Sequence, residues 1–168
     1  MAAQLDQLYE TDFYAWTEDQ AAALRSLLQQ RWNAPLDLAN LAEEVADLGK
    51  AERNAVRSQV RRIIEHCLKL EYSPASDPRS GWRVSIDDAR DQIEDSLTDT
   101  IRQDVEQRLP RLYTQALRKV RETLAAEGET EAAHALPTEN PYALDDLLTD
   151  DWFPASRCGI VDPIRPGP

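Results

Sequence analysis

The chain has 168 residues, of which 31 are acidic and 19 are basic, so its formal net charge at pH 7 is −12. This length suits one domain with a core of its own, since domains typically contain roughly 100–200 residues. The hydrophobic share of 42% indicates a globular fold, and the negative charge argues against non-specific binding to nucleic acid, which needs clustered lysine and arginine.

Hydrophobic residues recur at steps of three and four along most of the chain, and no Asn-Gly or Asp-Gly hairpin signal occurs, so the sequence predicts helices. The first helix is expected from about residue 12 to about residue 31, with Thr11 or Asp12 as its N-cap. Asp37 is a good N-cap for a second helix. The apolar stripe that we expect this second helix to bury consists of Leu38, Leu41, Val45 and Leu48.

Gly49 leaves two interpretations of the segment from residue 38 to residue 72. Glycine commonly follows the end of a helix, and on that ground we predict that the second helix ends at Gly49 and a third helix follows it. The alternative is one long helix. Leu38 and Val56 lie 18 residues apart, about five whole turns, so the same face continues through the glycine.

The hydrophobic spacing in the next part of the chain predicts two more helical stretches. One is expected over about residues 86–97, with Ser85 and Asp88 as a capping box. The other is expected over about residues 101–124, with a kink or the start of a new helix at Pro110, because proline removes a backbone hydrogen bond inside a helix.

The last part of the chain predicts less regular structure. Residues 129–138 indicate an acidic connector, and Asn140 and Pro141 are expected to open a short last helix. The proline-containing tail, residues 157–168, is expected to be extended. The sequence therefore predicts a single helical domain over residues 1–156, an all-α irregular bundle of about five to seven helices.

Six short strings, taken in this order, resemble one family. They are YETDFYAW at 9–16, LDLANLAEEVADLGK at 36–50, HCLKLEY at 66–72, WRVSI at 82–86, NPYAL at 140–144 and DWFP at 151–154. Together they resemble the DUF29 family of small helical bacterial proteins, over about residues 5–154. The resemblance implies an all-helical fold and, because DUF29 is a domain of unknown function, it supplies no catalytic residues.

A basic face on the third helix is the first candidate interaction surface. Its members follow one another at steps of three, four and four residues, with Arg62 and Lys69 nearby: Lys50, Arg53, Arg57 and Arg61. Such a stripe can bind phosphates or a carboxylate-rich partner. The plainer interpretation is a solvated face, or one paired with the acidic residues between positions 87 and 106.

An acidic cluster with one histidine is the second candidate, as a set of weak ligands for a divalent metal. Its members are Glu43, Glu44, Asp47 and His66, with Glu65 beside them. The spacing argues against a site, since adjacent residues such as Glu65 and His66 face different directions on a helix. We predict no metal and no cofactor, and we expect His66 at the edge of the core with a hydrogen-bonded ring.

The sequence argues against an enzyme, because the usual parts of a catalytic site are missing. Cys67 lies beside His66, but neighbouring helical residues do not face each other, and its position indicates core packing. Cys158 lies in the tail and is expected to be exposed. The chain has no CxxC pair, no Gly-x-Ser-x-Gly sequence and no phosphate-binding glycine loop.

Aromatic residues give a third candidate surface, since tyrosine and tryptophan are favoured at interfaces. Tyr9, Tyr14 and Trp32 fall off the apolar stripe or in a loop, which favours an interface role. Core packing is expected for Phe13, Trp16 and Trp82, and an arginine neighbour of Trp82 could stack on its ring.

We predict a non-enzymatic cytoplasmic module that binds an unknown protein partner or a second copy of itself. A cytoplasmic location follows from two unpaired cysteines and from the lack of a membrane span or signal peptide in the sequence. One alternative is an antitoxin-like or nucleic-acid-associated regulator that uses the basic face of residues 50–70. A second is a metal-dependent activity at the acidic cluster with His66.

Overall fold

The computed structural model describes residues 2–30 and 35–161, with side chains from residue 7 onward. These residues form seven α-helices and no strands, which confirms the all-α prediction and the expected number of helices. No helix in this part of the chain combines the length and the apolar character needed to cross a membrane. The helices are α1 (Ala2–Thr11), α2 (Phe13–Gln29), α3 (Leu38–Tyr72), α4 (Arg79–Glu94), α5 (Asp99–Ala126), α6 (Thr130–Ala135) and α7 (Leu144–Leu148).

The chain divides into two compact units, each made of two separate stretches. Unit 1 comprises Met1–Arg57 and Glu94–Val105, and unit 2 comprises Ser58–Ile93 and Glu106–Pro168. Helices α3 and α5 each contribute residues to both units.

The predicted break at Gly49 is wrong, because α3 is continuous from Leu38 to Tyr72. The alternative of one long helix is the correct one. Gly49 lies inside the helix, where its missing side chain allows α2 to approach α3 closely. A Cβ atom at Gly49 would overlap Oγ1 of Thr17 and would lie 3.1 Å from the Tyr14 ring. Glycine therefore serves here as a contact residue between two helices and not as a helix end.

Asp12 separates α1, a helix that the sequence analysis did not predict, from α2, which is the predicted first helix, and it links α2 to α5 within unit 1. Its carboxylate accepts a hydrogen bond from the Ala15 N–H at 2.9 Å, which is the N-cap expected for α2. The same carboxylate accepts from the Thr98 hydroxyl at 3.1 Å and from the Thr100 N–H at 3.3 Å. Thr98 in turn accepts from the Ile101 N–H in the first turn of α5. One side chain thus satisfies backbone donors at the start of two helices.

Two boundaries in unit 2 differ from prediction. Helix α4 begins at Arg79 and not near residue 86, so Ser85 is not a cap. Its hydroxyl lies 3.0 Å from Nε of Arg62, which donates to it. The last helix, α7, begins at Leu144 and not at Asn140. The side-chain oxygen of Asn140 accepts a hydrogen bond from the Tyr142 N–H at 3.0 Å, so this residue forms a turn and does not begin the helix.

Of the two alternatives predicted at Pro110, a kink or a new helix, the structure excludes the new helix, and the connector predicted after α5 is partly helical. Helix α5 passes through Pro110 without a new helix beginning there. Ring closure removes the N–H of Pro110, and the rest of α5 continues because its apolar face, from Ile101 to Leu124, stays buried on both sides of the proline. The segment expected to be an acidic connector contains the short helix α6, with Ala133 buried.

Arg90, a buried cation, holds the segment that follows α7 within unit 2. Its guanidinium donates to the backbone carbonyls of Leu147 at 3.0 Å and Trp152 at 2.8 Å. The Phe153 ring lies against two guanidinium groups. The distance from the ring centroid to Cζ is 4.3 Å for Arg83 and 5.3 Å for Arg90. Charge-assisted bonds to carbonyls fix an irregular segment that has few backbone bonds of its own.

Glu71, a buried carboxylate, fixes a second part of the same segment. It accepts from the Tyr142 hydroxyl at 2.8 Å and from Nε of Arg157 at 2.7 Å. The backbone N–H of Arg157 donates to the backbone carbonyl of Glu71. The Sγ atom of Cys158 lies 3.4 Å from the backbone carbonyl oxygen of Tyr72. The first residues of the predicted tail therefore dock on the end of α3.

Replacing Gly49 by alanine is expected to lower the free energy of unfolding by about 1–3 kcal/mol, because overpacking a core costs roughly that much. The matched control is Gly81→Ala, since a Cβ at this exposed α4 position meets nothing within 4 Å. That change is expected to raise the free energy of unfolding by about 0.5–1 kcal/mol, because alanine favours helix. Urea unfolding followed by circular dichroism measures both, and equal effects would contradict the close approach of α2 and α3.

Candidate interaction surface

Two members of the predicted basic face are engaged inside unit 1. Arg57 forks onto the carboxylate of Asp104, with its Nε 2.7 Å from one oxygen and its Nη2 bound to the other. The side chains of Arg57 and Asp104 are 15% and 22% exposed, so the pair is largely shielded from water. Arg53 donates to the Tyr14 hydroxyl at 2.8 Å. Asp104 belongs to the acidic stretch that the plainer interpretation of the basic face named as its partner.

The other two members of the basic face have local carboxylate partners on the same helix. Lys50 Nζ lies 2.7 Å from an oxygen of Asp47, three residues earlier. Arg61 Nε lies 3.5 Å from an oxygen of Glu65, four residues later. The four cations therefore do not form an unpaired stripe, and the charge on this face is largely neutralised.

The acidic cluster with His66 does not assemble into a metal site. His66 follows Asp47 by 19 residues on the same helix, which places the two about 28 Å apart along the helix axis. Within residues 7–30 and 35–161, no group of three or more His, Cys, Asp or Glu is positioned to hold a metal ion. Nδ1 of His66 is buried without a hydrogen-bond partner there, contrary to the expected hydrogen-bonded ring.

The predicted aromatic surface lies partly as expected. Tyr9 is 48% exposed, and its ring meets Phe13 and Trp16 edge-on, with centroids 5.7 Å and 4.9 Å away. Phe13 and Trp16, expected in the core, are only half-buried. Trp32 lies outside the described residues. Tyr14 is half-buried, and its hydroxyl accepts a hydrogen bond from Arg53. Among the described residues Tyr9, Phe13, Tyr14 and Trp16, Tyr9 is therefore the most exposed to solvent.

Trp82 lies in the core, as expected. It is 9% exposed, and the cation over its ring is Lys69, whose Nζ lies 5.8 Å from the ring centroid. The sequence suggested that an arginine close to Trp82 in the chain could stack on its ring. The stacking partner comes from α3 because α3 and α4 pack together within unit 2.

The structure reveals an apolar surface that the sequence prediction placed in the core. We call Leu41, Val45 and Leu48 the α3 strip. They follow at steps of four and three, so they share one face of α3. Leu41 is 41% exposed, Leu48 is 56% exposed and Val45 is half-buried. Between residues 41 and 49, the residues that α3 buries are instead the smaller neighbours Ala42, Ala46 and Gly49, while Leu38 and Val56 are buried before and after them.

One sequence signal could have located the α3 strip. Ala42, Ala46 and Gly49 are small and follow at steps of four and three, the same spacing as the leucines. Small residues let helices approach closely, as Gly49 does against Thr17. When the small row faces the neighbouring helix, the large row next to it is left at the edge of the contact.

Carboxylates border the α3 strip. Glu44 lies about 60° around the helix from the strip, on the side away from the buried row. Asp47 lies on the same side as Glu44 and further from the strip. Both are exposed, and Glu52 follows one turn after Leu48. Unit 1 as a whole contains 14 acidic and six basic residues, a net charge of −8 out of the chain's −12. The strip is therefore an apolar surface in an acidic setting.

Comparisons with known proteins support the fold and leave the function open. The family model described as "Domain of unknown function DUF29" matches residues 8–153. No curated protein matches the chain. A solved structure from Rhodospirillum rubrum, described as an alpha-helical protein of unknown function, is similar to it with a TM-score of 0.73 and 26% sequence identity. The match covers 86% of this chain and 90% of that one.

Arg57→Glu is expected to lower the free energy of unfolding by about 1–3 kcal/mol, because it removes a largely buried charged bond and leaves Asp104 beside a second carboxylate. The control is Lys50→Glu, at an exposed pair, where a change below about 0.5 kcal/mol is expected. The double variant Arg57→Glu/Asp104→Arg should recover part of the loss in a thermal unfolding measurement. A double variant no more stable than Arg57→Glu alone would contradict the coupling.

The two thiols are expected to react very differently with an aromatic disulfide reagent at about pH 8. Burial raises the pKa of the Cys67 thiol to about 12, so almost no reactive thiolate forms there, whereas Cys158 is exposed. The native protein should therefore release one equivalent of thiol and the denatured protein two. Cys158→Ser should abolish the native reaction and Cys67→Ser should leave it intact; the reverse pattern would contradict the burial of Cys67.

Proposed function

The chain belongs to the DUF29 family, and we propose that it is a protein-interaction module whose unit 1 binds a cationic amphipathic helix of a partner protein. The binding surface is the α3 strip, and its acidic border selects the partner. This proposal replaces the basic face as the recognition element, since Arg53 and Arg57 are engaged within unit 1.

The observation that carries the proposal is the exposure of Leu41 and Leu48 on one face of a regular helix. Single exposed leucines are common on protein surfaces and need no explanation. These two lie seven residues apart with Val45 between them, so they form a row and not a scatter. A row at this spacing is the pattern by which one helix packs against another.

The exposed large hydrophobic residues concentrate in unit 1. Seven such residues are found in the described part of the chain, and only Val84 and Val161 belong to unit 2. The five in unit 1 are Tyr9, Leu28, Leu36, Leu41 and Leu48. Apolar surface that gathers in one unit is typical of a protein that buries it against a partner.

Charge decides which partner fits. A second copy of this chain would bring two units of −8 together, with two rows of carboxylates at the contact, and like charges at an interface cost binding free energy. A helix with leucines on one face and lysines or arginines beside them would instead pair its cations with Glu44, Asp47 and Glu52. The long-range field of unit 1 would also attract it.

The cysteines support a reducing compartment such as the cytoplasm. Both are free thiols, Cys67 in the core and Cys158 on the surface. An exposed unpaired cysteine is ordinary in a reducing environment and rare in an oxidising one.

The test uses a synthetic peptide of about 18 residues, long enough to form a helix, with leucines on one face and lysines on the other. A scrambled peptide of the same composition, whose leucines do not share a face, is the control ligand. Fluorescence anisotropy of the labelled peptides should show tighter binding of the amphipathic one. Equal binding of both would reduce the interaction to net charge and would overturn the proposal.

The matched variants are Leu41→Ser/Leu48→Ser on the strip and Val84→Ser on an exposed position in unit 2. The strip variant is expected to weaken peptide binding at least about tenfold, since losing about 1.4 kcal/mol of apolar burial corresponds to that factor. Val84→Ser should leave binding unchanged. Circular dichroism confirms that each variant keeps its helices, and an equal loss in both variants would contradict a role for the strip.

A further inference from the structure

A second charged row lies on α3 in unit 2, independent of the α3 strip. Arg62, His66 and Lys69 follow at steps of four and three and so share one face of the helix; we call them the His66 row. Helix α4 packs against both ends of this row. Arg62 donates to the Ser85 hydroxyl at 3.0 Å, and Lys69 lies over the Trp82 ring.

The cations of the His66 row have neutral partners. Glu65, the neighbouring carboxylate, is used by Lys119 at 2.6 Å and by Arg61 at 3.5 Å. In the stretches whose side chains are described, no carboxylate pairs with Arg62 or Lys69. Among the described residues, no direct ion pair therefore compensates the positive charge of Arg62 or Lys69, although the chain as a whole is acidic.

His66 lies between the two cations on the same face. The charges that act on its ring come from Lys69 and Arg62 on α3 and from Lys119 on α5, and all three are positive. Burial first, and then these cations, lower the pKa of His66 from 6.5 to about 4, so the ring is neutral at pH 7. Its Nδ1 is buried without a hydrogen-bond partner within the described residues.

We propose that the His66 row binds a small dianionic oxyanion of the phosphate class, either inorganic phosphate or the phosphate of a small phosphomonoester. Arg62 supplies a planar fork of N–H donors and Lys69 a point charge, which together balance two negative charges. The Ser85 hydroxyl adds a donor from α4, and the neutral imidazole adds one from its N–H. A single carboxylate has one charge and two oxygens and would leave part of this donor set unused.

The two histidines of the chain allow a direct test by NMR. Their ring signals are followed at about pH 7.5, where phosphate is largely a dianion, while sodium phosphate replaces sodium chloride at constant ionic strength. A saturable shift of the His66 signals is expected, with the signals of His134, which lies in α6, unchanged. A linear drift of both histidines would show general ion effects only and would overturn the proposal.

Variants and a second ligand sharpen the test. Lys69→Gln and Arg62→Gln are each expected to weaken phosphate binding at least about tenfold, because each removes a direct charge contact. Lys50→Gln, at an exposed lysine outside the row, should leave binding unchanged, and a similar loss in all three would reject a defined site. A short thymidine oligonucleotide should not displace phosphate. Displacement would assign the row to a nucleic-acid backbone and would overturn a small-ligand site.

Discussion

The close approach of α2 to α3 at Gly49 determines the character of unit 1. Gly49 leaves no room for a side chain against Thr17, so the row of α3 that faces α2 has to be small at this point, and Ala42 and Ala46 continue that row. Beyond residue 57 the same helix buries large side chains such as Ile63. In unit 1, Leu38 and Val56 are buried before and after the small row, while Leu41 and Leu48, which lie beside it, remain in water. The exposed strip is thus a consequence of how tightly two helices pack.

The fold class and most helices could be predicted from the sequence, because helical periodicity is a local property. Helix ends could not be predicted as well. Ser85 has the local pattern of a cap, yet the hydroxyl binds Arg62, a residue 23 positions earlier. Gly49 has the local pattern of a helix end, yet tertiary packing uses it inside α3. In both cases a distant side chain determined the outcome, and a single sequence does not show which distant side chain that is.

The candidate sites were harder to predict for the same reason. The sequence does not show whether a charged residue is solvated or paired. The partner of Arg57, for example, lies 47 residues away in α5. Residue type did predict burial correctly for Cys67 and Trp82. It failed for Leu41 and Leu48, because hydrophobicity predicts burial only when another part of the fold covers the residue. The surface proposed for binding is therefore the place where the local rule fails.

The order of the two units along the chain has a consequence for how the protein is made. Each unit consists of two stretches separated by a stretch of the other. During synthesis, Asp12 leaves the ribosome long before Thr98 and Thr100, whose hydrogen bonds to its carboxylate complete the start of α5. Unit 1 therefore cannot finish folding until all of α3 and all of α4 have been translated. For the same reason, no single cut in the gene releases either unit intact, so gene fusion can transfer the two only together.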